Sequence, residues 1–252
     1  MNKYTLYMGF YDLLNGAIIL TLIVFALIYL WDWAKGHDKK PGLWVTSLKS
    51  GLVSKSVRSL YRSYADKDRF MLFWLQLNRL EHEGVSGAIA ELGVYRGQTA
   101  ALLRQLAPDR PLHLFDTFSG FRADDLKDES GEAGTYTTAN FADTSLSFVK
   151  NKLGNQPDIH YHAGNFSEVT AQLSDTLEFA LVSIDVDLEK PTAEGLAWFY
   201  PRLVKGGVLV VHDYNPKWPG LMQAVDDFLR TIPESPVLMT DRDSSLIIVK
   251  NR

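Results

Sequence analysis

Apolar runs alternate with helically spaced segments along most of the chain beyond residue 66. Five runs are continuously apolar, and they cover residues 88–94, 111–118, 158–164, 178–186 and 206–214. Continuous apolar strands are typical of a parallel sheet that helices cover on both faces. Helical spacing fills the segments around these runs, at about 52–64, 67–82, 98–107, 144–153, 167–174 and 190–203.

The tail of the chain has a different pattern. Two short apolar stretches, PVLMT (236–240) and SSLIIVK (244–250), flank a turn at 241–243. This spacing predicts a hairpin-like pair, and therefore antiparallel strands at the end of a mostly parallel sheet. The fold class is accordingly α/β, with a doubly wound, mostly parallel sheet of seven strands.

The amino-terminal segment has no counterpart in this α/β pattern. Nineteen residues from Leu13 to Trp31 contain no charged side chain. A helix of that length covers about 30 Å, the thickness of a bilayer's hydrocarbon core. Aromatic residues suited to the membrane interfaces stand near both ends, at positions 7, 10, 11, 29, 31 and 33. A cleaved signal peptide is the main alternative, but it favours a basic start, a shorter apolar core and a small-residue cleavage site.

Charge is distributed unevenly and gives the predicted helix an orientation. Residues 33–70 hold nine Lys or Arg against three Asp, whereas the chain as a whole has a net charge of −4. One Lys precedes the apolar segment and four lie in residues 32–50, so the carboxyl-terminal side should be cytoplasmic. This basic collar either lies on anionic headgroups or forms a solvated surface.

These patterns divide the chain into four parts. We expect a short non-cytoplasmic terminus (1–12), a membrane anchor (13–31), a basic linker and helix (32–65), and a catalytic domain (66–252). Within the third part, the Gly, Pro and Lys content of residues 35–51 predicts a linker. Cysteine is absent, which excludes disulfides and thiolate metal sites.

Candidate chemistry begins after the first strand, because ligands of open parallel sheets bind beyond the carboxyl ends of the strands. The sequence there reads Glu91-Leu-Gly93-Val-Tyr-Arg-Gly97. Its glycines allow a tight turn and close approach of a ligand, and the following helix start favours a carboxylate. The spacing differs from the G-x-G-x-x-G of dinucleotide-binding proteins, which counts against a nicotinamide cofactor. The predicted cofactor contacts are Glu91, Gly93, Val94, Tyr95, Arg96, Gly97 and Thr99.

Two later strand ends complete the predicted nucleotide site. Asp116 ends the second strand, where an acidic side chain can accept hydrogen bonds from both ribose hydroxyls, with Thr117 beside it. Gly164, Asn165 and Phe166 follow the third strand and offer a close backbone and an aromatic face for an adenine ring.

Carboxylates and an imidazole end the fourth and fifth strands. Asp185 and Asp187 follow one, and His212 and Asp213 follow the other. Carboxylate oxygens suit Mg²⁺ or Ca²⁺, while an imidazole also admits Mn²⁺, Fe²⁺ or Zn²⁺. The four residues are therefore predicted metal ligands, and such a metal would bind a substrate hydroxyl and lower its pKa. Alternatively, these charged residues bind no metal and only end the strands, with His212 bonded to a backbone carbonyl oxygen.

Five motifs, in this order and spacing, resemble the macrocin O-methyltransferase (TylF-like) family of class I methyltransferases, over roughly residues 66–230. They are ELGVYRGQTA (91–100), LFDTFSGF (114–121), IDVDLEKPT (184–192), YPRLVKGGVLVVHDY (200–214) and PGLMQAVDDFL (219–229). The resemblance implies S-adenosylmethionine (SAM) as the methyl donor, a divalent metal such as Mg²⁺, and methylation of a hydroxyl, often on a sugar. It also implies that Glu91, Gly93 and Gly97 form the donor loop, that Asp116 binds the ribose, and that Asp185 and Asp213 are metal ligands. Asp185 is a predicted cofactor contact as well.

The chain departs from the family at two places. His212 stands where the family commonly has an aspartate, which makes it a candidate metal ligand or base and puts the metal in question. Leu188-Glu189 replaces a usual tyrosine, so we expect different substrate contacts. The predicted catalytic residues are His212, Asp185 and Glu189.

The expected partners follow from these predictions. They are a small-molecule or lipid-linked hydroxyl acceptor and a membrane, with no nucleic acid; homo-oligomerisation is left open.

The long polar segment 119–150 is predicted to be either a lid over the donor or a disordered surface loop. Two other functions remain open, a nicotinamide-dependent oxidoreductase and a membrane-tethered SAM-binding protein without catalysis.

Overall fold

The computed structural model describes residues 3–34 and 40–251, which divide into two units, Met1–Ser54 and Lys55–Arg252. The first unit contains helices α1 (Lys3–Ala34) and α2 (Gly42–Lys49). The part of α1 from Gly9 to Ala34 is long and apolar enough to cross a membrane, and its side chains are exposed in this structure. This helix contains the whole predicted anchor.

Helix α2 corrects the prediction of a continuous linker over residues 35–51. The first five of those residues, 35–39, lie outside the described part of the chain. Pro41 precedes the first turn of α2, a position where proline's missing N–H costs no helical hydrogen bond. Trp44 and Ser47 are buried, three positions apart on one face of the helix. The Gly and Pro residues concealed this short apolar face.

The second unit carries the remaining elements. Its helices are α3 (Lys55–Ser63), α4 (Lys67–His82), α5 (Gln98–Leu106), α6 (Leu146–Leu153), α7 (Phe166–Thr170), α8 (Glu189–Arg202) and α9 (Pro219–Leu229). Its strands are β1 (Ala88–Leu92), β2 (Leu112–Asp116), β3 (Ile159–Ala163), β4 (Phe179–Ile184), β5 (Leu203–Val211), β6 (Val237–Leu238) and β7 (Leu246–Val249).

The strands form a seven-stranded sheet in the order β3-β2-β1-β4-β5-β7-β6. The first five strands are parallel, and β7 runs antiparallel to both β5 and β6. The predicted fold class is therefore confirmed. Strands β1 and β4 are buried along their whole length, as their uninterrupted apolar sequences predict.

Three predicted elements differ in detail. Strand β3 lies at an edge of the sheet, so its middle residues are partly exposed although the sequence predicts burial on both faces. Helix α7 ends at Thr170 instead of residue 174. Strand β6 has only two residues, because Met239 bonds back to Ser245 and the chain turns there.

Chain order reverses between β1 and β4, where connections leave β1 toward β2 on one side and enter β4 on the other. A crevice opens at such a switch point, beyond the carboxyl ends of the strands. This is the place where the predicted site residues converge.

Candidate active site

A cavity of about 530 Å³ lies beyond the carboxyl ends of the central strands. Most of the residues predicted from sequence line it: Glu91, Gly93, Val94, Tyr95, Arg96, Thr99, Asp116, Thr117, Gly164, Asn165, Phe166, Asp185, Asp187, His212 and Asp213. Gly97 and Glu189 are not among the lining residues. The structure thus brings the predicted donor loop and the predicted metal ligands to one cavity.

The loop between β1 and α5 has a backbone that only glycine tolerates at one position. Gly93 has φ of +89°, and a Cβ built there would lie 1.8 Å from the carbonyl oxygen of Asp185. Gly97 caps α5 in the left-handed conformation. Tyr95 also has a positive φ, of +49°, a strained value for a side chain of its size. The loop is therefore held tightly against the end of β4.

Asp116 organises this loop from the neighbouring strand. Its Oδ2 accepts hydrogen bonds from the backbone N–H groups of Val94 and Tyr95 at 2.7 and 2.8 Å. Its Oδ1 accepts one from the N–H of Phe118 at 2.6 Å. The sequence predicted an acceptor for ribose hydroxyls, but both oxygens already have backbone partners. A bound ribose would have to share them.

Gly164, Asn165 and Phe166 form the adjoining wall. The Asn165 side chain accepts a hydrogen bond from the N–H of Glu168 and caps α7. Phe166 is 6% exposed and packs edge-on against Phe115 at 5.4 Å, so its ring belongs to the core and to the cavity wall at once. The predicted aromatic surface is present, although most of it is covered by protein.

Two cavity residues that the sequence did not indicate are Tyr64, which follows α3, and Arg69 in α4. The Tyr64 hydroxyl lies 2.9 Å from the Thr99 Oγ1 in the first turn of α5. Arg69 is 8% exposed, and its Nη2 donates to Asp185 Oδ2 at 2.7 Å. In the sequence, Arg69 stands directly before Phe70, at the border of the apolar face of α4. A charged side chain is almost never fully buried without a partner, so this position indicates an ion pair.

Glu91 lies beside this pair and is 1% exposed. Its Oε2 has no hydrogen-bond partner among the described residues. Burial, followed by repulsion from Asp185, raises the pKa of Glu91 well above its ordinary value. Glu91 and Arg69 thus place an unpaired polar atom each, Oε2 and Nε, at the buried end of the cavity.

Asp185, His212 and Asp213 form a compact cluster at the ends of β4 and β5. The His212 Nδ1 lies 3.1 Å from Asp185 Oδ1 and 3.1 Å from Asp213 Oδ1. One potential ligand atom from each residue lies within 4.8 Å of the other two. Asp213 has φ of +61°, a left-handed conformation that is uncommon for residues other than glycine and is often found at functional sites.

The charges in this cluster shift one another's pKa values. Burial disfavours the charged form of Asp185, but the nearby Arg69 and His212 outweigh it and hold its pKa far below the usual range. Burial also opposes a charge on His212, yet Asp185 and Asp213 raise its pKa to about 10. The imidazolium cation of His212 is therefore favoured at neutral pH, and in that form His212 does not act as a base.

Asp187 stands outside the three-residue cluster, although it was a predicted metal ligand. Burial, and then a hydrogen bond with Asp213, raise its pKa well above the ordinary value. Its φ is also +61°. Asp187 also lines the cavity.

The cluster fits a divalent cation. Two carboxylate oxygens and one imidazole nitrogen converge, and the His212 Nδ1 lacks a well-aligned hydrogen-bond partner despite its burial. Such a donor set suits Mn²⁺ or Mg²⁺, whose remaining positions take water or substrate oxygens.

The structure does not bring Glu189, a predicted catalytic residue, to the cavity. It is exposed and does not line the cavity. Its Oε2 would lie 3.1 Å from a Cβ added to Gly220, so the side chain extends toward the start of α9.

The segment between β2 and α6 covers the other side of the cavity. Phe121, Tyr136 and Phe141 pack against one another with ring centroids 5.2 to 6.1 Å apart, and all three line the cavity. The Tyr136 hydroxyl accepts a hydrogen bond from Trp218 Nε1 at 3.3 Å. Because these contacts give the segment a fixed course, the prediction of a disordered surface loop is wrong, and a cover over the cavity is observed.

This cover is also tied to the donor loop. Asp143 accepts hydrogen bonds from the Tyr95 hydroxyl and from Arg96 Nη2, both at 2.6 Å. The Thr144 hydroxyl donates to the carbonyl oxygen of Tyr95 at 2.6 Å. On its far side, Glu129 accepts a hydrogen bond from the N–H of Glu189 at 2.7 Å. The cover therefore bridges the loop after β1 and the start of α8.

Comparison with known proteins agrees with this geometry. Residues 60–245 match the macrocin-O-methyltransferase (TylF) family. Mycinamicin III 3''-O-methyltransferase of Micromonospora griseorubida is 27% identical over 204 residues, which are 71% of this chain and 79% of that protein. The structure of the O-methyltransferase NovP superposes with a TM-score of 0.65 at 21% identity, covering 74% of this chain and 81% of NovP. For the calicheamicin methyltransferase CalS11 the TM-score is 0.58 at 24% identity, with 71% and 79% covered.

Proposed function

Because the chain belongs to the macrocin-O-methyltransferase family and is a SAM-dependent methyltransferase, we propose that it methylates a sugar hydroxyl of a small molecule with the help of a divalent cation. Family membership removes the two alternatives left open by the sequence, a nicotinamide-dependent oxidoreductase and a binding protein without catalysis. The named relative acts on mycinamicin III, and this supports a glycosylated acceptor here.

The contact between Gly93 and Asp185 carries the proposal. The donor loop and the end of β4 approach so closely that a single Cβ would not fit between them. A donor bound on the loop after β1 would therefore lie next to a cation held by Asp185, His212 and Asp213. Methyl transfer needs that proximity, since the acceptor oxygen must reach the methyl carbon in line with the carbon–sulfur bond.

The residues of the chain divide the work. A cation at the three-residue cluster would bind the acceptor hydroxyl and make it more acidic. Asp185 and Asp213 would hold this cation, and Arg69 balances their negative charge from the buried end. Phe121 and Tyr136 offer a wall on which a sugar ring can rest, and the cover to which they belong keeps water from the donor. The new carbon–oxygen bond forms as the carbon–sulfur bond breaks, and the hydroxyl proton leaves to solvent.

We further propose that α1 retains the enzyme in a membrane with the catalytic unit on the cytoplasmic side. The length and apolar character of Gly9–Ala34 support this, as does the excess of Lys and Arg after it. The family match begins at residue 60, so the anchor is an addition to the family's domain. An enzyme placed there could also reach lipid-linked sugars.

Labelled methyl transfer tests the enzymatic part. Full-length protein in membranes would be incubated with methyl-labelled SAM, and the labelled product identified by mass spectrometry. We expect Asp185→Ala to bind SAM with little change but to transfer no methyl group. The matched control is Asp175→Ala, an exposed ion-paired aspartate of the same unit. Normal transfer by Asp185→Ala, or label on a nitrogen or carbon, would contradict the proposal.

Extraction of membranes tests the anchor. We expect the full chain to stay in the pellet after alkaline carbonate treatment, which releases peripheral proteins. Recovery of the intact chain in the supernatant would contradict a spanning helix. This result is independent of methyl transfer.

A further inference from the structure

The ion pair between Arg69 and Asp185 gives the two oxygens of one carboxylate different surroundings. Oδ2 accepts a hydrogen bond from Arg69 Nη2 at 2.7 Å, with the arginine side chain 9% exposed. Oδ1 points to the other side, where it lies 3.1 Å from His212 Nδ1. Oδ2 is thus paired with the guanidinium of Arg69, while Oδ1 faces His212 and Asp213.

Arg69 is held in place by the start of its helix. Asp66 caps α4, and its Oδ1 accepts hydrogen bonds from the N–H groups of Asp68 and Arg69, both at 3.0 Å. The Oδ2 of the same aspartate accepts one from the N–H of Arg242 at 2.9 Å. Oδ1 of Asp66 therefore caps the first turn of α4, while Oδ2 ties this helix start to the turn before β7. Arg69 reaches Asp185 from that turn.

The guanidinium remains charged at every pH at which the protein is folded. A carboxylate can bind a divalent cation with one oxygen or with both. While Arg69 occupies Oδ2, Asp185 has only Oδ1 to give. Two consequences follow for a metal at the cluster: Asp185 binds it through a single oxygen, and a permanent positive charge opposes its binding.

We propose that Arg69 is a positioning residue that restricts Asp185 to one metal-binding oxygen and keeps the bound cation weakly held and open to the acceptor. The inference rests on the divalent cation of the proposed function. It predicts that metal affinity and the rate of methyl transfer change in opposite directions when Arg69 is removed. Removal of Arg69 should tighten metal binding, because Asp185 gains a second free oxygen and the opposing charge is lost, while methyl transfer should become slower.

A purely structural arginine predicts a different outcome. Glu91, Asp185, Asp187 and Asp213 crowd this region, and a cation that only balances them would contribute to folding stability. Its removal would lower stability, and the lost charge alone would tighten metal binding equally in variants with and without a hydrogen-bond donor to Oδ2. A larger gain in metal affinity when that donor is also removed is an outcome that this role does not produce.

The test measures Mn²⁺ binding to the full-length, detergent-solubilised protein by electron paramagnetic resonance and isothermal titration. We compare the wild type with Arg69→Met, which removes the charge and every N–H donor, and with Arg69→Gln, which keeps one donor without the charge. The matched control is Arg79→Met, on the same helix, where Arg79 pairs with Glu83 and bonds to the carbonyl oxygen of Gly206 outside the cavity. Near-UV circular dichroism establishes that each variant is folded.

We expect Arg69→Met to bind Mn²⁺ at least tenfold more tightly than the wild type, with methyl transfer at saturating Mn²⁺ reduced at least tenfold. Arg69→Gln should show a smaller change in the same direction, and Arg79→Met should match the wild type. Unchanged or weaker Mn²⁺ binding in the folded Arg69 variants would overturn the inference while leaving the metal centre intact. Absence of Mn²⁺ and Mg²⁺ binding in the wild type would overturn the metal centre itself, and this inference with it.

Discussion

Gly93 and Asp185 meet backbone to backbone, and a Cβ on Gly93 would stand 1.8 Å from the carbonyl oxygen of Asp185. Asp185 donates its own N–H to the carbonyl oxygen of Leu92 at 2.9 Å, which keeps the two segments together. The donor loop and the end of the cation-binding strand are therefore built as one unit. Any side chain at position 93 would separate them.

We expect Gly93→Ala to lose SAM binding by at least 100-fold and to lower the melting temperature, because it adds both a clash and a strained φ. Gly84→Ala is the control: Gly84 also has a positive φ, of +64°, but a Cβ there meets nothing within 4 Å. That variant should lose about 1 kcal/mol of stability and no SAM affinity. Isothermal titration with SAM checks both variants, and equal losses of affinity would show that the contact is unimportant.

The carboxylate of Asp116 gives a second prediction. Its Oδ2 accepts hydrogen bonds from two N–H groups of the loop, and its Oδ1 accepts one from Phe118. In Asp116→Asn one of these oxygens becomes an NH₂ group, which donates hydrogen bonds and would face N–H donors. We expect SAM to bind at least 30-fold more weakly and the protein to lose about 2 kcal/mol of stability. Asp109→Asn, an exposed turn aspartate, serves as the control. Unchanged SAM affinity in Asp116→Asn would mean that the loop holds its shape without the carboxylate.

Most of the fold could be predicted from sequence because its strands are apolar without interruption. Such runs report burial on both faces, so the positions of β1 and β4 followed directly, and with them the polar residues at their carboxyl ends. Strand β5 was expected over 206–214 but begins at Leu203 and ends at Val211, because residues 204–206 near its start are at least partly exposed and do not continue the apolar run. The position of the edge strand β3 was predicted correctly, but its partial exposure was not. The place of a strand within a sheet depends on its neighbouring strands, and the local sequence pattern does not identify these neighbours.

The side-chain contacts of the site were less predictable. Nothing near Arg69 in the sequence indicates Asp185, which lies 116 positions away. Asp116 was expected to bind a ligand because of its place at a strand end, yet its partners belong to the loop after the neighbouring strand. Glu189 was expected in the site as a second candidate base after His212, but it is exposed and does not line the cavity. In each case the orientation of an element decided the contact.

Two histidines on one face of the sheet should make stability depend on pH. His113 is 6% exposed and its Nδ1 lies 3.0 Å from the Nε2 of His162. Burial, then the neighbouring His160, lowers the pKa of His113 to about 3 and that of His162 to about 4. An unfolded histidine has a pKa of about 6.5, so below that pH the unfolded chain binds more protons than the folded one. Stability is therefore fully present above about pH 6.5 and is lost as the pH falls toward 4.

We expect His113 to account for a loss of about 2 kcal/mol between pH 7 and pH 5, since each pH unit below 6.5 costs about 1.4 kcal/mol. For a unit of this size the loss lowers the melting temperature by about 4–8 °C. The melting temperature of the solubilised full chain, followed by circular dichroism across this range, measures it. His113→Gln should reduce the dependence by this share and leave that of His162, whereas the exposed His82→Gln should not change it. The same slope in His113→Gln and in the wild type would assign the acid sensitivity to other groups.

Asp143 should control how long the donor stays bound. It joins the cover to the donor loop through the Tyr95 hydroxyl and through Arg96, with both hydrogen bonds at 2.6 Å. These groups are exposed, so the ion pair itself stabilises the protein little, and we expect the unfolding free energy of Asp143→Ala to stay close to that of the wild type. Without this tie the cover opens more often, and SAM should dissociate about five- to tenfold faster in stopped-flow displacement. Backbone amides of residues 119–145 should also exchange hydrogen faster.

Asp124→Ala removes an ion pair with Lys127 in the same segment, away from the donor loop, and should leave both rates unchanged. If the two variants released SAM equally fast, the cover would act as a whole, and its tie at Asp143 would have no special part in holding the donor.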